Sequence, residues 1–575
     1  MVMTAAWLPL SVLCYERFTR SGERRWLGFM AVAFACQLLA GHPQLCYYTK
    51  LLLVTRHSWL LFRRECGMPR WRFLLLPLLA LGLAGVLAAP QFLPAAELLR
   101  HSTRVSAVDD YAMFTYWSLE PRSAVRMVMP YLYGSGRTGD YWQLLWRKLI
   151  GFEEYYLYLG VVPLLLVILA VARRRWPDPQ LFYIVVLGTT LLLAVGKHLP
   201  FCRWAYDWLP GFHLFRWPVR LLVLHAFAGA VLAGGGWRQL WTERSGRAWS
   251  RPVAAILMLL AAGYGFWLVY GRAIAELVAT FLFGATTQYA DRLPVLVATI
   301  GAALQRLTLV TTGLLAVATL HHFRPQWRRR AQLLLLLILV AECVWFLRGF
   351  AVYNPSPLYP DLTGLREQIP AGARCWFDTK FAWRNAGTLY RAPSVDGYDP
   401  LVLREYAALI RPAAGRDADE NNPLGTPQLA DPVWARLRLD HLVLRPGAVP
   451  DTQSWSAVAT TAAGTLFRRR SAQAAFSDAV VRPDAWQATV VLRAPGMVEV
   501  PMLNYPGWCY RRPDGELMPV TGELLRTPLL PAGTHRVTFE YRPTVFRRGV
   551  GLMLLAAVGI AGLLRCGRRQ SRRNA

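Results

Sequence analysis

Long apolar runs separated by short arginine clusters constrain this chain more than any other feature of its sequence. Of its 575 residues, 54% are hydrophobic, and the formal net charge is +29. A soluble domain would not use so much apolar sequence. The arginines gather between apolar runs, so the positive charge indicates membrane orientation rather than a nucleic-acid surface. The sequence therefore predicts a polytopic α-helical membrane protein with no nucleic-acid partner.

Eleven apolar runs are read as transmembrane helices, which need roughly 20 mostly apolar residues each. The first run has only fifteen residues, is predicted to start on the outer side and follows no signal peptide. We therefore expect this chain to begin in the middle of a longer membrane-protein architecture, with one or more upstream transmembrane helices missing. The runs lie near residues 1–15, 26–41, 44–62, 71–96, 155–172, 181–196, 218–236, 252–271, 294–320, 331–349 and 547–565.

Arginine clusters give these runs a direction. They occupy every second connection and the tail, as ERFTRSGERR, RRECGMPRWR, ARRRWPDPQ, WRQLWTERSGRAWSR, HHFRPQWRRR and RCGRRQSRRNA. Arginine excess marks the cytoplasmic side of a membrane protein. The alternation therefore predicts that residues 350–546 and the GHPQ segment at residues 41–44 lie on the extracytoplasmic side.

The chain is predicted to divide into three regions. Residues 1–349 form a multispan region, residues 350–546 a soluble region, and residues 547–575 the last transmembrane helix with a basic cytoplasmic tail. From about residue 475, short alternating runs such as ATVVLRA and THRVTFEYRP predict strands, and Asp514-Gly515 is a hairpin turn signal. A small extracytoplasmic β-sandwich over about 475–546 fits this pattern.

Several common chemical signatures are missing from the sequence. The nine cysteines include no Cys-x-x-Cys spacing, so no thiolate metal site is predicted. Cys375 and Cys509 lie in the soluble region, where they would form a disulfide only if the fold brought them close together. The chain has no Gly-x-x-x-x-Gly-Lys-Ser/Thr loop and no Gly-x-Ser-x-Gly elbow, which disfavours an ATP-driven pump and an esterase.

Polar and ionisable residues at the predicted outer ends of the spans are the candidates for function. Such groups are costly at membrane depth, so each one needs a reason. For the GHPQ segment, one interpretation is a helix cap open to water, and the other is the rim of a ligand cavity. The candidate cavity-rim residues are His42, Gln44, Glu97, Arg100, Asp110, Glu154, Arg216 and Arg220.

The charged candidates leave more than one chemistry open. Guanidinium groups match phosphate oxygens in bidentate geometry, so Arg216 and Arg220 are candidates for binding a phosphate head group. Pairing with Asp207 or Glu154 is the structural alternative. A carboxylate such as Glu154 would serve as a general base or bind a divalent cation, and its spacing does not select between these roles. No cofactor is therefore assigned, and a divalent cation stays open.

Seven segments in order along the chain resemble the YfhO-like family of bacterial membrane proteins, within the C-type membrane glycosyltransferase superfamily. They are WLPLSVLCYER, LLAGHPQLCYYT, APQFLPAAELLRHSTR, YYLYLGVVPLLL, LPGFHLFRWPVRLL, SVDGYDPLVLREY, and YPGWCYRRPDGE continuing to PAGTHRVTFEYRP. The resemblance covers nearly the whole chain, from Trp7 to the tail.

This resemblance implies an enzyme of the bacterial inner membrane. It would take a sugar from a polyprenyl-phosphate donor and add it to an extracytoplasmic acceptor, an envelope glycan or lipid. The superfamily's usual catalytic aspartate lies in the first outer loop, a region that this chain is expected to lack. No residue is therefore assigned a catalytic role, and whether the chain is an active hexosyltransferase-like enzyme stays open.

Two other functions are compatible with the same sequence. A transporter or flippase of lipid-linked glycan would need the same cavity and the same cations. A non-catalytic envelope-glycan-binding protein would use aromatic side chains of the soluble region such as Trp376, Tyr398, Tyr505 and Trp508. Most aromatic residues of a small sandwich belong to its core, which counts against the last function.

Overall fold

The computed structural model describes residues 1–63, 68–103, 111–132, 157–172, 175–242, 246–283, 293–323, 325–350, 360–370, 373–380, 382, 385–397, 401–415, 424–470, 477–482 and 484–571. The chain forms two compact units. The helical unit contains Met1–Leu78 and Asp109–Tyr353. The sheet unit contains Leu79–Val108 and Asn354–Ala575.

Helices dominate the first two thirds of the chain. The longer ones are α1 Leu8–Ser21, α2 Arg25–Leu39, α3 Pro43–Phe62, α4 Arg70–Leu87, α5 Ala89–His101, α6 Val161–Val171, α7 Gln180–Ala194, α8 Phe201–Trp208, α9 Leu222–Thr242, α10 Gly246–Phe283, α11 Leu293–Phe323, α12 Arg328–Phe350 and, near the end of the chain, α13 Thr544–Ser571. Shorter helical segments are Val2–Ala5, Tyr111–Phe114, Pro121–Met127, Gly196–His198, Phe212–Leu214, Pro218–Leu221, Pro325–Trp327, Thr363–Arg366, Ala386–Leu389, Arg404–Ile410, Arg411–Ala413 and Val433–Arg436.

Five helices are long and apolar enough to cross a membrane. They are Arg70–Leu87, Pro218–Trp241, Leu293–His321, Arg328–Gly349 and Thr544–Arg565. Three shorter apolar helices are Arg25–Leu39, Val161–Val171 and Gln180–Ala194. The prediction of a mostly helical chain with several membrane spans is thus confirmed, and the five long helices indicate association with a lipid bilayer. The finer count of eleven stays a prediction, although each of those runs falls on helix.

Proline divides one run that was predicted as a single span. Residues 71–96 form two helices, α4 and α5, which meet at Ala88. Pro90 lies in the first turn of α5. Backbone N–H groups of a first turn have no partner within the helix, so proline, which lacks an N–H, costs no hydrogen bond there. The run predicted near residues 71–96 is therefore broken toward its end, where the chain restarts a helix.

Eleven strands are described in the sheet unit. They are β1 Arg374–Phe377, β2 Leu439–Leu444, β3 Trp455–Thr461, β4 Gly464–Arg469, β5 Ser477–Arg482, β6 Ala485–Leu492, β7 Glu499–Leu503, β8 Trp508–Arg511, β9 Leu517–Pro519, β10 Leu524–Arg526 and β11 Gly533–Tyr541. One sheet has the order β1-β2-β4-β3, with β1 and β2 parallel. The other two have the orders β5-β6-β11-β8-β9 and β10-β7.

The prediction of a β-sheet region before the last helix is confirmed, whereas its extracytoplasmic side stays a prediction. Strands β8 and β9 form the predicted hairpin, and Gly515 in its turn has a φ of 89°, which favours glycine. Side chains of the five-stranded and two-stranded sheets share one apolar core that includes Trp486, Val500, Leu525 and Phe539. Alternation along the strands sends these residues inward.

The last helix packs tightly against α5 within the sheet unit. A Cβ added at Gly549 would lie 2.8 Å from the carbonyl oxygen of Ala89, so the two backbones approach too closely for a larger residue there. Small residues allow this kind of approach between apolar helices.

Cys375 and Cys509 do not form the disulfide considered from the sequence. Both are free thiols. Cys375 is buried on β1, whereas Cys509 lies on β8 of a different sheet. Burial raises the pKa of the Cys375 thiol to about 12, so it stays protonated at neutral pH.

Candidate functional site

The GHPQ segment forms the connection between α2 and α3. Gly41 has a φ of 82°, a conformation that glycine adopts readily. His42 is the N-cap of α3, and its Nδ1 accepts a hydrogen bond from the backbone N–H of Leu45 at 3.4 Å. Pro43 follows in the first turn of the helix. The helix-cap interpretation of His42 therefore holds.

Gln44 is buried and connects this segment to the residues before α9. Its Nε2 donates to the carbonyl oxygen of Arg216 at 2.6 Å and to the Tyr48 hydroxyl at 2.8 Å. Its Oε1 accepts from the Arg220 guanidinium at 2.9 Å. Thus the amide of Gln44 holds the guanidinium of Arg220 and the backbone of Arg216.

Aromatic rings support Arg220 from the other side. Its guanidinium lies 4.1 Å from the ring centroid of Trp217, and the Trp217 ring stacks on that of Trp117 at a centroid distance of 4.1 Å. Trp217 has a φ of 67°, and its backbone N–H donates to the carbonyl of Phe114 at 2.8 Å. A bulky residue with positive φ is strained, so this conformation is held by the surrounding contacts.

The charge state of His42 follows from these neighbours. Burial and then the positive charge of Arg220 lower the pKa of His42 to about 4. The imidazole is therefore neutral at pH 7. The resulting cluster, defined here as the arginine–glutamine cluster of His42, Gln44, Arg216 and Arg220, brings the Arg220 guanidinium and the Arg216 backbone together with a neutral imidazole. Such a group suits an anionic, hydrogen-bond-accepting ligand.

The structure does not show the alternative in which Asp207 pairs with Arg216 or Arg220. Asp207 instead accepts from Arg203 at 2.8 Å, one turn earlier on α8. Asp110 and Glu154 lie outside the described residues. The cluster therefore holds four of the eight residues predicted for the cavity rim.

Glu97 and Arg100 belong to α5, in the sheet unit. Burial and then the negative charge of Glu97 raise the pKa of Tyr505 to about 12. The carbonyl of Arg100 accepts from the Arg404 guanidinium at 3.0 Å.

A cavity of about 330 Å³ lies beside these residues within the sheet unit. His101 and Glu405 line it with a 3.3 Å contact between Nδ1 and Oε1, and Tyr505 meets the His101 ring edge to face. Trp508, which also lines it, is only 9% exposed and belongs to the sheet core. Trp376 is likewise buried, whereas Tyr398 lies outside the described residues.

Sequence analysis missed a polar network in the helical unit. Glu342 on α12 is 5% exposed and accepts from the Tyr158 hydroxyl at 2.5 Å and from the backbone N–H of Val161 at 2.7 Å. Arg306 on α11 donates to the same Tyr158 oxygen at 2.8 Å. The signal that could have found these residues is a lone ionisable side chain inside an apolar run.

A second missed network surrounds Arg56 of α3. Its guanidinium donates to Glu16 at 2.8 Å and to Asp178 Oδ1 at 2.7 Å, and the Trp59 indole donates to Asp178 at 3.0 Å. Although burial alone would raise the pKa of Asp178, the hydrogen bonds and charge of Arg56 lower it. Arg56, which interrupts a predicted span, is therefore stabilised as a buried ion pair.

Comparison with known proteins adds no family. No family model, curated protein sequence or solved structure matches the chain. The YfhO-like resemblance therefore stays a prediction. Among the residues that the structure describes, no group of three or more His, Cys, Asp or Glu side chains is placed to hold a metal ion.

Proposed function

We propose that this chain is a YfhO-like protein of the bacterial inner membrane that binds a polyprenyl-phosphate-linked sugar. It passes the sugar to an extracytoplasmic envelope glycan or lipid. The observation that carries the proposal is the arginine–glutamine cluster, in which Gln44 joins Arg216 and Arg220. The cluster lies at the start of Pro218–Trp241, a helix long and apolar enough to cross a membrane.

The chemistry of the donor explains why such a cluster is useful. A polyprenyl-phosphate sugar keeps its chain in lipid and its charged head at the membrane surface. Guanidinium groups bind phosphate oxygens with charge-assisted hydrogen bonds, whereas the neutral His42 contributes no charge to this attraction. Trp217 holds the Arg220 guanidinium in place, so less conformational entropy is lost when the phosphate binds.

The predicted membrane orientation is supported by a second set of contacts. Glu16, Asp178 and Arg238 lie in or next to predicted cytoplasmic connections, and they line one common cavity with Arg56 of the span 44–62. Segments predicted to share a side of the membrane are thus found together. In this orientation the arginine–glutamine cluster and residues 350–546 belong to the extracytoplasmic side.

We expect the double variant Arg216→Gln/Arg220→Gln to bind undecaprenyl phosphate at least about tenfold more weakly, because each charge-assisted hydrogen bond contributes about 1.5–3 kcal/mol. The measurement is lipid retention by the full chain in nanodiscs, read by native mass spectrometry. The matched control is Arg203→Gln/Arg272→Gln, which removes two exposed arginines that each pair with a carboxylate one turn away.

Equal affinity in the two double variants would contradict the proposal. Thermal stability of each variant separates lost binding from lost folding, and Arg220→Lys keeps the charge while removing the planar fork. Transfer of labelled sugar from a polyprenyl-phosphate donor then tests the enzyme. Binding without transfer, accompanied by movement of the lipid across the bilayer, would favour the flippase instead.

A further inference from the structure

A second cavity, of about 570 Å³, lies in the helical unit among four chain segments. Residues of α1, α3 and α9 line it together with the segment that leads into α7. In the order of the chain they are Glu16, Thr19, Arg20, Arg56, Leu60, Pro177, Asp178, Pro179, Gln180, Gly235, Arg238 and Gln239. None of these residues belongs to the arginine–glutamine cluster.

The charge of the lining favours an anion. Three arginines and two carboxylates give it a net charge of +1. Both carboxylates, Glu16 and Asp178, already accept hydrogen bonds from the buried Arg56. Arg20 and Arg238 are exposed at this cavity and carry the remaining positive charge.

Gln239 gives the cavity a second, independent feature. It is only 9% exposed, and no donor among the described residues reaches its Oε1 within hydrogen-bond distance. A buried carbonyl oxygen without a partner costs about 1–3 kcal/mol. A ligand hydroxyl in the cavity would supply the donor that this oxygen needs.

The surroundings resemble a membrane interface. Arg17 lies over the Trp26 ring at 5.9 Å, and Arg63 over Trp59 at 6.0 Å. Arg72 lies over Trp71, another such pair in the predicted cytoplasmic connections. Tryptophan and arginine are enriched where helices meet lipid head groups. The apolar side chain of Leu60 also lines the cavity.

We propose that this cavity binds a phosphoglycerol group, the head group of an anionic phospholipid. The phosphate lies between Arg20 and Arg238, and a glycerol hydroxyl donates to Gln239 Oε1. Basic pockets between membrane helices on the cytoplasmic side are known to suit such lipids. This site is separate from the proposed sugar chemistry and does not depend on it.

The test compares phosphatidylglycerol retention by the full chain in nanodiscs of phosphatidylcholine with and without phosphatidylglycerol, read by native mass spectrometry. We expect Arg20→Gln/Arg238→Gln to weaken retention at least about tenfold, because two charged contacts are lost. The control Arg17→Gln/Arg72→Gln removes the same charge from predicted cytoplasmic connections but outside the cavity, and should retain the lipid. Gln239→Leu should weaken retention without lowering the melting temperature of the lipid-free protein.

Equal losses in the two double variants would overturn the proposal, since they would show diffuse attraction to a charged surface. The proposal would also be overturned if the protein shows no preference for phosphatidylglycerol over phosphatidylcholine and if glycerol 3-phosphate does not stabilise the wild-type protein in phosphatidylcholine nanodiscs. Stabilisation by that soluble ester, lost in Arg20→Gln/Arg238→Gln, supports the same recognition with a soluble source of the group.

Discussion

Replacing Glu342 by alanine is expected to destabilise the helical unit by about 3–5 kcal/mol, because hydrogen bonds to a buried charged group contribute about 1.5–3 kcal/mol each and several are lost. Its carboxylate accepts the Tyr158 hydroxyl and the backbone N–H groups of Val161 and Val162, at the start of α6. Water does not replace a lost acceptor within an apolar bilayer, so each lost hydrogen bond is costly. Thermal unfolding in detergent measures the effect.

Arg306 adds to that cost. Its guanidinium donates to Tyr158 and lies 4.1 Å from the Trp345 ring. The Tyr158 hydroxyl links the two charged groups and loses its acceptor when Glu342 is removed. The control is Glu276→Ala, which breaks an exposed pair with Arg272 and should change stability by less than about 1 kcal/mol. Similar melting temperatures for the two variants would show that the Glu342 network does not hold α6 in place.

Replacing Arg56 by methionine is expected to cost a similar amount, about 3–5 kcal/mol. Arg56 has a side chain that is only 3% exposed, and it separates Glu16 from Asp178. Without the Arg56 guanidinium, the partly buried carboxylates of Glu16 and Asp178 repel each other. The measurement is again the shift in thermal unfolding of the full chain.

A compensating variant tests whether repulsion is the cause. Arg56→Met combined with Glu16→Gln and Asp178→Asn should recover most of the lost stability, because the uncompensated charges are gone. Additive losses in the triple variant would instead assign the effect of Arg56 to packing, for example against Phe182, whose ring lies 5.1 Å from its guanidinium.

Local patterns predicted local structure well. The Asp514-Gly515 signal gave the hairpin of β8 and β9, because that turn is fixed by two adjacent residues. The polar join at residues 41–44 pointed to a helix start and to Gln44. By contrast, β1 pairs with β2 more than 60 residues later, and no short-range pattern encodes such a pairing.

The site was predicted in part, for the same reason. Arg216 and Arg220 were selected by charge on the predicted outer side, but their link to Gln44 crosses more than 170 residues and appears only in the fold. Glu342 was overlooked because its run was treated as uniformly apolar. Its partners Tyr158, Val161 and Val162 lie far away in sequence, at the start of α6, so its role was not readable from α12 alone.

The proposed function requires that the arginine-rich connections and residues 350–546 lie on opposite sides of the membrane. Ser21→Cys places a thiol in the first arginine-rich connection, and Asp514→Cys places one within residues 350–546. Labelling of intact spheroplasts with a membrane-impermeant maleimide shows on which side of the membrane each thiol lies. The parent chain, with its nine native cysteines, gives the background labelling. We predict labelling of Asp514→Cys in intact spheroplasts and of Ser21→Cys only after lysis. Labelling of Ser21→Cys in intact spheroplasts, with Asp514→Cys protected until lysis, would contradict the account.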